Sequence, residues 1–122
     1  MSATLETILD VAKFRDPEVT ADGTPRARVG MDRLATLWFN TGTLCNITCA
    51  NCYIDSSPTN DRLSYLTSAD MAPYLDDIAN LGLATSEIGF TGGEPFMNRH
   101  IIELLELSLG RRFRVLVLTN AM

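Results

Sequence analysis

Leu34-Ala35-Thr36-Leu37-Trp38-Phe39-Asn40-Thr41 runs within four residues into Cys45-Asn46-Ile47-Thr48-Cys49-Ala50-Asn51-Cys52. The first segment is short, apolar and aromatic-containing, which predicts a buried strand over residues 34–41. The second is a C-x3-C-x2-C run in a loop directly after that strand. Thiolates at such spacing can converge on one soft metal centre. A structural zinc site wants four protein ligands. The chain has three cysteines and a single histidine, His100, which lies far along the sequence; His100 is expected to sit in the first turn of a helix with no ligand role. A cubane [4Fe–4S] cluster takes four cysteines, so three leave one iron without a protein ligand and open to an exogenous chelator.

Working outward, helix alternates with strand. Residues 4–13 place Leu5, Ile8, Leu9 and Ala12 at spacings of three and four, predicting a short amphipathic helix. Residues 16–28 hold two prolines and a glycine and read as a linker. A polar loop over 56–62 follows the cysteines. A second helix is predicted over 68–81, with Thr67 and Asp70 as a capping box, Met71, Tyr74, Leu75 and Ile78 as its apolar stripe, and Gly82 as its stop. A strand over 87–91 leads into Gly92-Gly93-Glu94-Pro95. A third helix is expected over 98–109, capped by Asn98 and ended by Gly110, and a third strand over 114–119. This order predicts an α/β chain of parallel β/α units. The special residues all follow strand C-termini, the edge where barrels and open α/β sheets bind ligands. Trp38 and Phe39 are expected in the core.

The turn at 92–95 has a chemistry of its own. Two glycines permit unusual backbone dihedrals and close approach to the main chain. A carboxylate beside them can accept charge-assisted bonds from a cationic amine. Thirty-nine residues, holding one helix, separate Cys52 from Gly92. That distance suits adjacent parallel strands delivering both loops to one sheet edge.

Taken together, the C-x3-C-x2-C loop and the GGEP turn resemble the radical S-adenosylmethionine (SAM) superfamily. The resemblance spans residues 34–120, about 70% of the chain. It implies the first half of a truncated, partial (β/α)6 TIM-like barrel, with residues 1–30 as an N-terminal helix and linker and 31–122 as the N-terminal half of the core. It implies that Cys45, Cys49 and Cys52 ligate three irons of a [4Fe–4S] cluster and that SAM chelates the fourth. An electron from the cluster would then cleave the sulfonium, giving methionine and a 5′-deoxyadenosyl radical. Gly92, Gly93 and Glu94 would lie against the methionyl ammonium. The position before the last cysteine, often aromatic in the family, is Asn51 here, with Tyr53 just beyond; both are candidate cofactor-binding residues. Thr119-Asn120 resembles the family's Thr-Asn at the close of the third strand, where Asn120 either lines the pocket or only forms a turn. A low-potential electron donor of the flavodoxin or ferredoxin type is the implied partner, and the substrate, a small molecule or a peptide, is left open. The rival readings are a non-catalytic zinc-binding module and a simple iron–sulfur electron carrier.

Composition is consistent with this. The 122 residues are 46% hydrophobic and 20% charged, with ten basic against fifteen acidic residues and a net charge of −5. No basic run offers itself to a phosphate backbone, so no nucleic-acid partner is expected. Arg111, Arg112 and Arg114 form the one local basic cluster and read as a solvated helix end. No apolar run approaches the roughly 20 residues of a membrane span, and the N-terminus lacks the pattern of a signal peptide. The chain is therefore expected to be cytoplasmic, where cysteines more often bind metal or catalyse than form disulfides. It is also expected to be a fragment, because a third parallel strand at the chain's end leaves an apolar edge uncovered.

Overall fold

The structure is a computed structural model that describes residue 11 and residues 13–122. The chain divides into two compact units, Met1–Met31 and Asp32–Met122. In the first unit a turn is pinned by Asp22, which accepts from the Thr20 and Thr24 hydroxyls. Those bonds, Thr20 first, hold its carboxyl down to about 2. The helix expected over 4–13 lies almost wholly outside the described residues.

The second unit is built on three parallel strands, β1 (Thr36–Asn40), β2 (Glu87–Thr91) and β3 (Arg114–Val117), in the order β1-β2-β3. Helix α1 (Ser68–Asn80) connects the first pair and α2 (Ile101–Gly110) the second. Parallel neighbours require such crossovers. The register sets Trp38 opposite Gly89 and Gly89 opposite Leu116, with Phe39, Phe90 and Val117 aligned one residue on.

That alternation sorts the faces. Phe39, Ile88 and Phe90 point into a core shared with Met71, Leu75 and Ile78 of α1 and Ile101 and Leu104 of α2, and Val115 and Val117 pack against it. Trp38 departs from the sequence expectation. It lies on the opposite face, 43% exposed, because successive strand residues point to opposite sides and Phe39 takes the helix-covered one. Its indole covers Gly89, where an added Cβ would come within 2.4 Å of the ring. Tyr74 is also largely exposed and meets Phe39 edge-on, with ring centroids 5.8 Å apart. The charged flanks are tied down too: Arg111 pairs with Asp76 of α1, and Arg114 with Glu87 across the sheet.

The capping box at α1 forms as the sequence suggests. Thr67 Oγ1 accepts from the Asp70 N–H, and Asp70 Oδ2 accepts from the Thr67 N–H. Thr67→Ala is therefore expected to cost about 1 kcal/mol, read as a lowered denaturant midpoint with an unchanged slope. The start of α2 differs from expectation. Helix α2 begins at Ile101, after a single 3₁₀ turn over Pro95–Met97; Asn98 Oδ1 accepts from His100 N at 2.7 Å in the turn that leads into it, while His100 at the N-cap makes no side-chain bond. Asn98 is also buried, its Nδ2 donating at 2.9 Å to the carbonyls of Thr41 and Leu66. One side chain thus serves both the turn into α2 and the carbonyls of the neighbouring loops.

Candidate functional site

All three strand ends meet at one edge of the sheet, and hydrogen bonds continue past the strands to join the loops that follow. Thr41 N donates to Thr91 O at 2.8 Å, Gly93 N to Gly42 O at 2.9 Å, and Glu94 N to Leu44 O at 3.0 Å. On the other side, Leu118 N donates to Phe90 O at 2.9 Å. The loop that opens at Cys45 and the turn at Gly92-Gly93 are thus zipped main chain to main chain.

The glycines explain why this is possible. Gly92 sits at φ +136°, and a Cβ there would lie 2.7 Å from Gly42 O. At Gly93 a Cβ would lie 2.3 Å from Leu44 O and 2.7 Å from Thr43 O. Real side chains do not approach backbone oxygens so closely. What occupies the missing side-chain space is the base of the cysteine loop. Thr41 and Thr43, which sequence reasoning passed over, are each only 1% exposed. Thr41 Oγ1 donates to Thr91 O and Thr43 Oγ1 accepts from Leu63 N, so both hydroxyls knit the loop bases together. Their signal in the sequence was two threonines flanking a glycine at a strand end, a pattern easily taken for a plain turn.

The cysteine loop closes on itself through Cys45 N to Ser57 O at 3.2 Å, and turns by way of Cys52 N to Cys49 O and Asp55 at φ +52°. All three cysteines are free: Cys45 is buried, Cys52 half-buried and Cys49 exposed. The Cys52 sulfur accepts from Ser56 N at 3.3 Å. The thiol pKa of Cys52 is lowered, first by the Ile54 backbone N–H and then by that of Ser56, which favours the thiolate that metals bind. The Ser56 hydroxyl is buried and has no hydrogen-bond partner among the described residues, although it lies near enough to that sulfur to help lower the pKa. At Cys45, the Nδ2 of Asn120 approaches the sulfur at 3.7 Å.

Glu94 is 5% exposed and lies between these groups. Its Oε1 accepts from Phe96 N at 3.1 Å and from the Thr119 hydroxyl at 2.8 Å, and its Oε2 accepts from Asn120 N at 2.8 Å. The carboxylate therefore fastens the end of β3 to the glycine turn. Cys45, Gly92, Gly93, Glu94 and Asn120 come together as one connected group. Asn51 and Tyr53 are exposed, and no hydrogen bond among the described residues ties either to Glu94 or Asn120.

This donor set suits an iron–sulfur cluster. The ligands on offer are soft sulfurs, two of them already facing N–H donors that complement negative charge, with an unpaired hydroxyl beside one. Among the described residues no three His, Cys, Asp or Glu side chains gather closely enough for a single metal ion. A cubane spreads its protein-bound irons over separate corners, so its thiolates need not meet at one point.

Comparison with known proteins gives concordant results. The sequence profile of the Radical SAM superfamily matches residues 39–122. The chain is 36% identical over 76 residues to the antilisterial bacteriocin subtilosin biosynthesis protein AlbA of Bacillus subtilis (strain 168), covering 62% of this chain and 16% of that protein. It is 27% identical over 89 residues to the Fe-coproporphyrin III synthase of Methanosarcina barkeri (strain Fusaro / DSM 804), covering 73% of this chain and 22% of that one. The chain thus spans about a fifth of the length of these relatives. No helix among the described residues is long and apolar enough to cross a membrane.

Proposed function

The chain belongs to the radical SAM superfamily, and from that premise we propose that it carries the cluster- and SAM-binding loops of an enzyme that cleaves SAM reductively to start radical chemistry. Cys45, Cys49 and Cys52 hold the [4Fe–4S] cluster in this reading, and Gly92, Gly93 and Glu94 receive the methionyl end of SAM. A [4Fe–4S] cluster held there would supply the electron, received from an external donor, for reductive cleavage of SAM.

One observation carries the reading: the main-chain ladder that locks the Cys45 loop to the Glu94 turn. It joins the loop of Cys45 to the turn of the buried Glu94 carboxylate at one sheet edge, which supports joint binding of a cluster and a cationic amine there. In this reading the chain's own residues do three things. The bond from Cys45 N to Ser57 O closes the loop that carries the cysteines. Donors at Cys45 and Cys52 stabilise charge on those sulfurs. Glu94 offers a desolvated negative charge to an ammonium. Asn51 and Tyr53, exposed on the loop, are then free to turn towards the adenine.

We read the three strands as the start of a partial (β/α)6 barrel whose remaining strands lie outside this chain. Trp38, Gly89 and Leu116 would form one layer of its interior. A flavodoxin- or ferredoxin-type donor would deliver the electron in a cytoplasmic setting. The two relatives bear names from bacteriocin biosynthesis and from Fe-coproporphyrin III synthesis. A peptide and a small molecule both remain in range as substrate.

Anaerobic reconstitution of the intact gene product with iron and sulfide tests the reading. The expected product is a [4Fe–4S] cluster whose paramagnetic resonance spectrum changes when SAM is added, because the fourth iron is open. Stoichiometric zinc, or a cluster indifferent to SAM, would instead favour a non-catalytic metal-binding module. Within this test, Glu94→Gln should keep its iron and bind SAM about 10- to 150-fold more weakly, as expected for loss of a charge-assisted bond worth about 1.5–3 kcal/mol. Superimposable SAM titrations for Glu94→Gln and parent would remove Glu94 from the SAM site.

A further inference from the structure

Asn120 makes more contacts than a turn requires. Its backbone N–H is held by Glu94 Oε2 at 2.8 Å. Its side-chain Nδ2 donates to Asn46 Oδ1 at 2.7 Å and faces the Cys45 sulfur at 3.7 Å, while its Oδ1 accepts from Met122 N at 3.1 Å. Asn46 returns a bond of its own, from Nδ2 to Met122 O at 3.2 Å. The two ends of the amide are thereby distinguished, since Oδ1 faces an N–H and Nδ2 faces two acceptors. The group presented to the sulfur is a donor.

The direction of the Asn120 amide gives this arrangement its meaning. As a free thiol, Cys45 can donate to Asn46 Oδ1, 3.8 Å away. A metal-bound cysteine has lost that proton and can only accept. The Asn120 amide is thus matched to the ligated form. Cys52 receives a main-chain donor from Ser56, a group that no side-chain substitution removes. At Cys45 the donor is a side chain, so this chain can adjust it.

We infer that Asn120 is a positioning residue for the cluster: held by Glu94 and Asn46, it donates to the Cys45 sulfur and so sets the reduction potential. The inference rests on the reading that Cys45 is a cluster ligand. The physical cause is direct. Reduction adds negative charge to the cluster, and that charge is shared by the ligating sulfurs. An N–H aimed at one of them stabilises the reduced form more than the oxidised form and raises the potential. Because Glu94 also grips the backbone of Asn120, a group bound at that carboxylate would be mechanically linked to a donor on the cluster.

The experiment is a redox titration of the reconstituted intact gene product, followed by paramagnetic resonance, with iron and sulfide measured on every sample. Asn120→Leu keeps much of the side-chain shape and removes the donor. Asn120→Asp keeps the shape and replaces the donor with a negative charge. Both are expected to load iron and sulfide as the parent does. Asn120→Leu should shift the reduction equilibrium towards the oxidised form roughly tenfold, about 59 mV more negative for a one-electron couple. Asn120→Asp should shift it further in the same direction. Unchanged potentials in both variants, with full clusters, would overturn the inference. So would a parent that loads its cluster while both variants fail to, because Asn120 would then serve assembly and not potential. A parent that takes up zinc or builds no cluster would instead overturn the functional reading on which the inference rests.

Discussion

Replacing Cys45, Cys49 or Cys52 singly by alanine in the intact gene product is expected to abolish stable [4Fe–4S] assembly. Each thiolate holds a different iron in the proposed site, and this chain has no further cysteine to take its place. The three variants should nevertheless differ in their apo-proteins. Cys49 is exposed, so its truncation should leave unfolding within about 0.5 kcal/mol of the parent. Cys45 is 6% exposed, and its sulfur neighbours the amides of Asn46 and Asn120. Its truncation should cost about 1 kcal/mol or more through lost packing and a loosened amide pair. Iron and sulfide analysis checks the first expectation, and denaturant unfolding of the metal-free proteins checks the second. A single variant with parental iron, sulfide and absorption spectrum would show that the cluster does not need that cysteine.

Much of this was legible in the sequence, for identifiable reasons. The strand over Glu87–Thr91 could be bounded because Gly82 and the Gly92-Gly93 pair bracket it. The helix starting at Ser68 could be read because Thr67 and Asp70 form a strictly local capping signal, and local signals survive tertiary context. The cysteine loop stood out because three thiols so close together suit a shared soft metal centre, and an odd number cannot all pair as disulfides. Readings that depended on which face of the sheet is covered did less well. Nothing local distinguishes Trp38 from Phe39; the assignment follows from which side α1 and α2 occupy. Asn98 was legible only in part, for a related reason. Its residue type and position suit a helix start, and its Oδ1 does accept from His100 N, but its Nδ2 also serves the carbonyl of Thr41, which is 57 residues away in sequence.

The glycine turn shows the same limit from another direction. From sequence, Gly92 and Gly93 suggested room for a ligand beside the main chain. In the structure that room is taken by the backbone of residues 42–44. The two ideas are not rivals, since a tightly docked loop is what holds Glu94 and Cys45 in a fixed relation. The demand for glycine nevertheless comes first from loop-on-loop packing. A partner distant in sequence sets that demand, so composition and periodicity could not reveal it.

Gly93→Ala should therefore be among the most damaging conservative substitutions in the chain. The new methyl carbon would lie 2.3 Å from Leu44 O and 2.7 Å from Thr43 O. Both atoms are main chain, and neither can swing aside as a flexible side chain would. Relief requires the glycine turn to separate from the cysteine loop. That separation breaks the Gly93 N to Gly42 O and Glu94 N to Leu44 O bonds and strands buried polar groups. Overpacking of this kind costs about 1–3 kcal/mol, and each stranded group about 1–3 kcal/mol more. A destabilisation of about 3 kcal/mol or greater is expected, together with loss of cluster uptake as Cys45 and Glu94 lose their common anchor. Gly110→Ala is the matched comparison. A Cβ there meets nothing within 4 Å, and Gly110 closes α2 without needing a left-handed backbone. Alanine also narrows the unfolded ensemble, so Gly110→Ala should be neutral or stabilise by about 0.4–1 kcal/mol. Denaturant unfolding of the two variants beside the parent gives the comparison. Equal midpoints for Gly93→Ala and Gly110→Ala would mean that the loops do not dock as closely as the distances at Gly93 require.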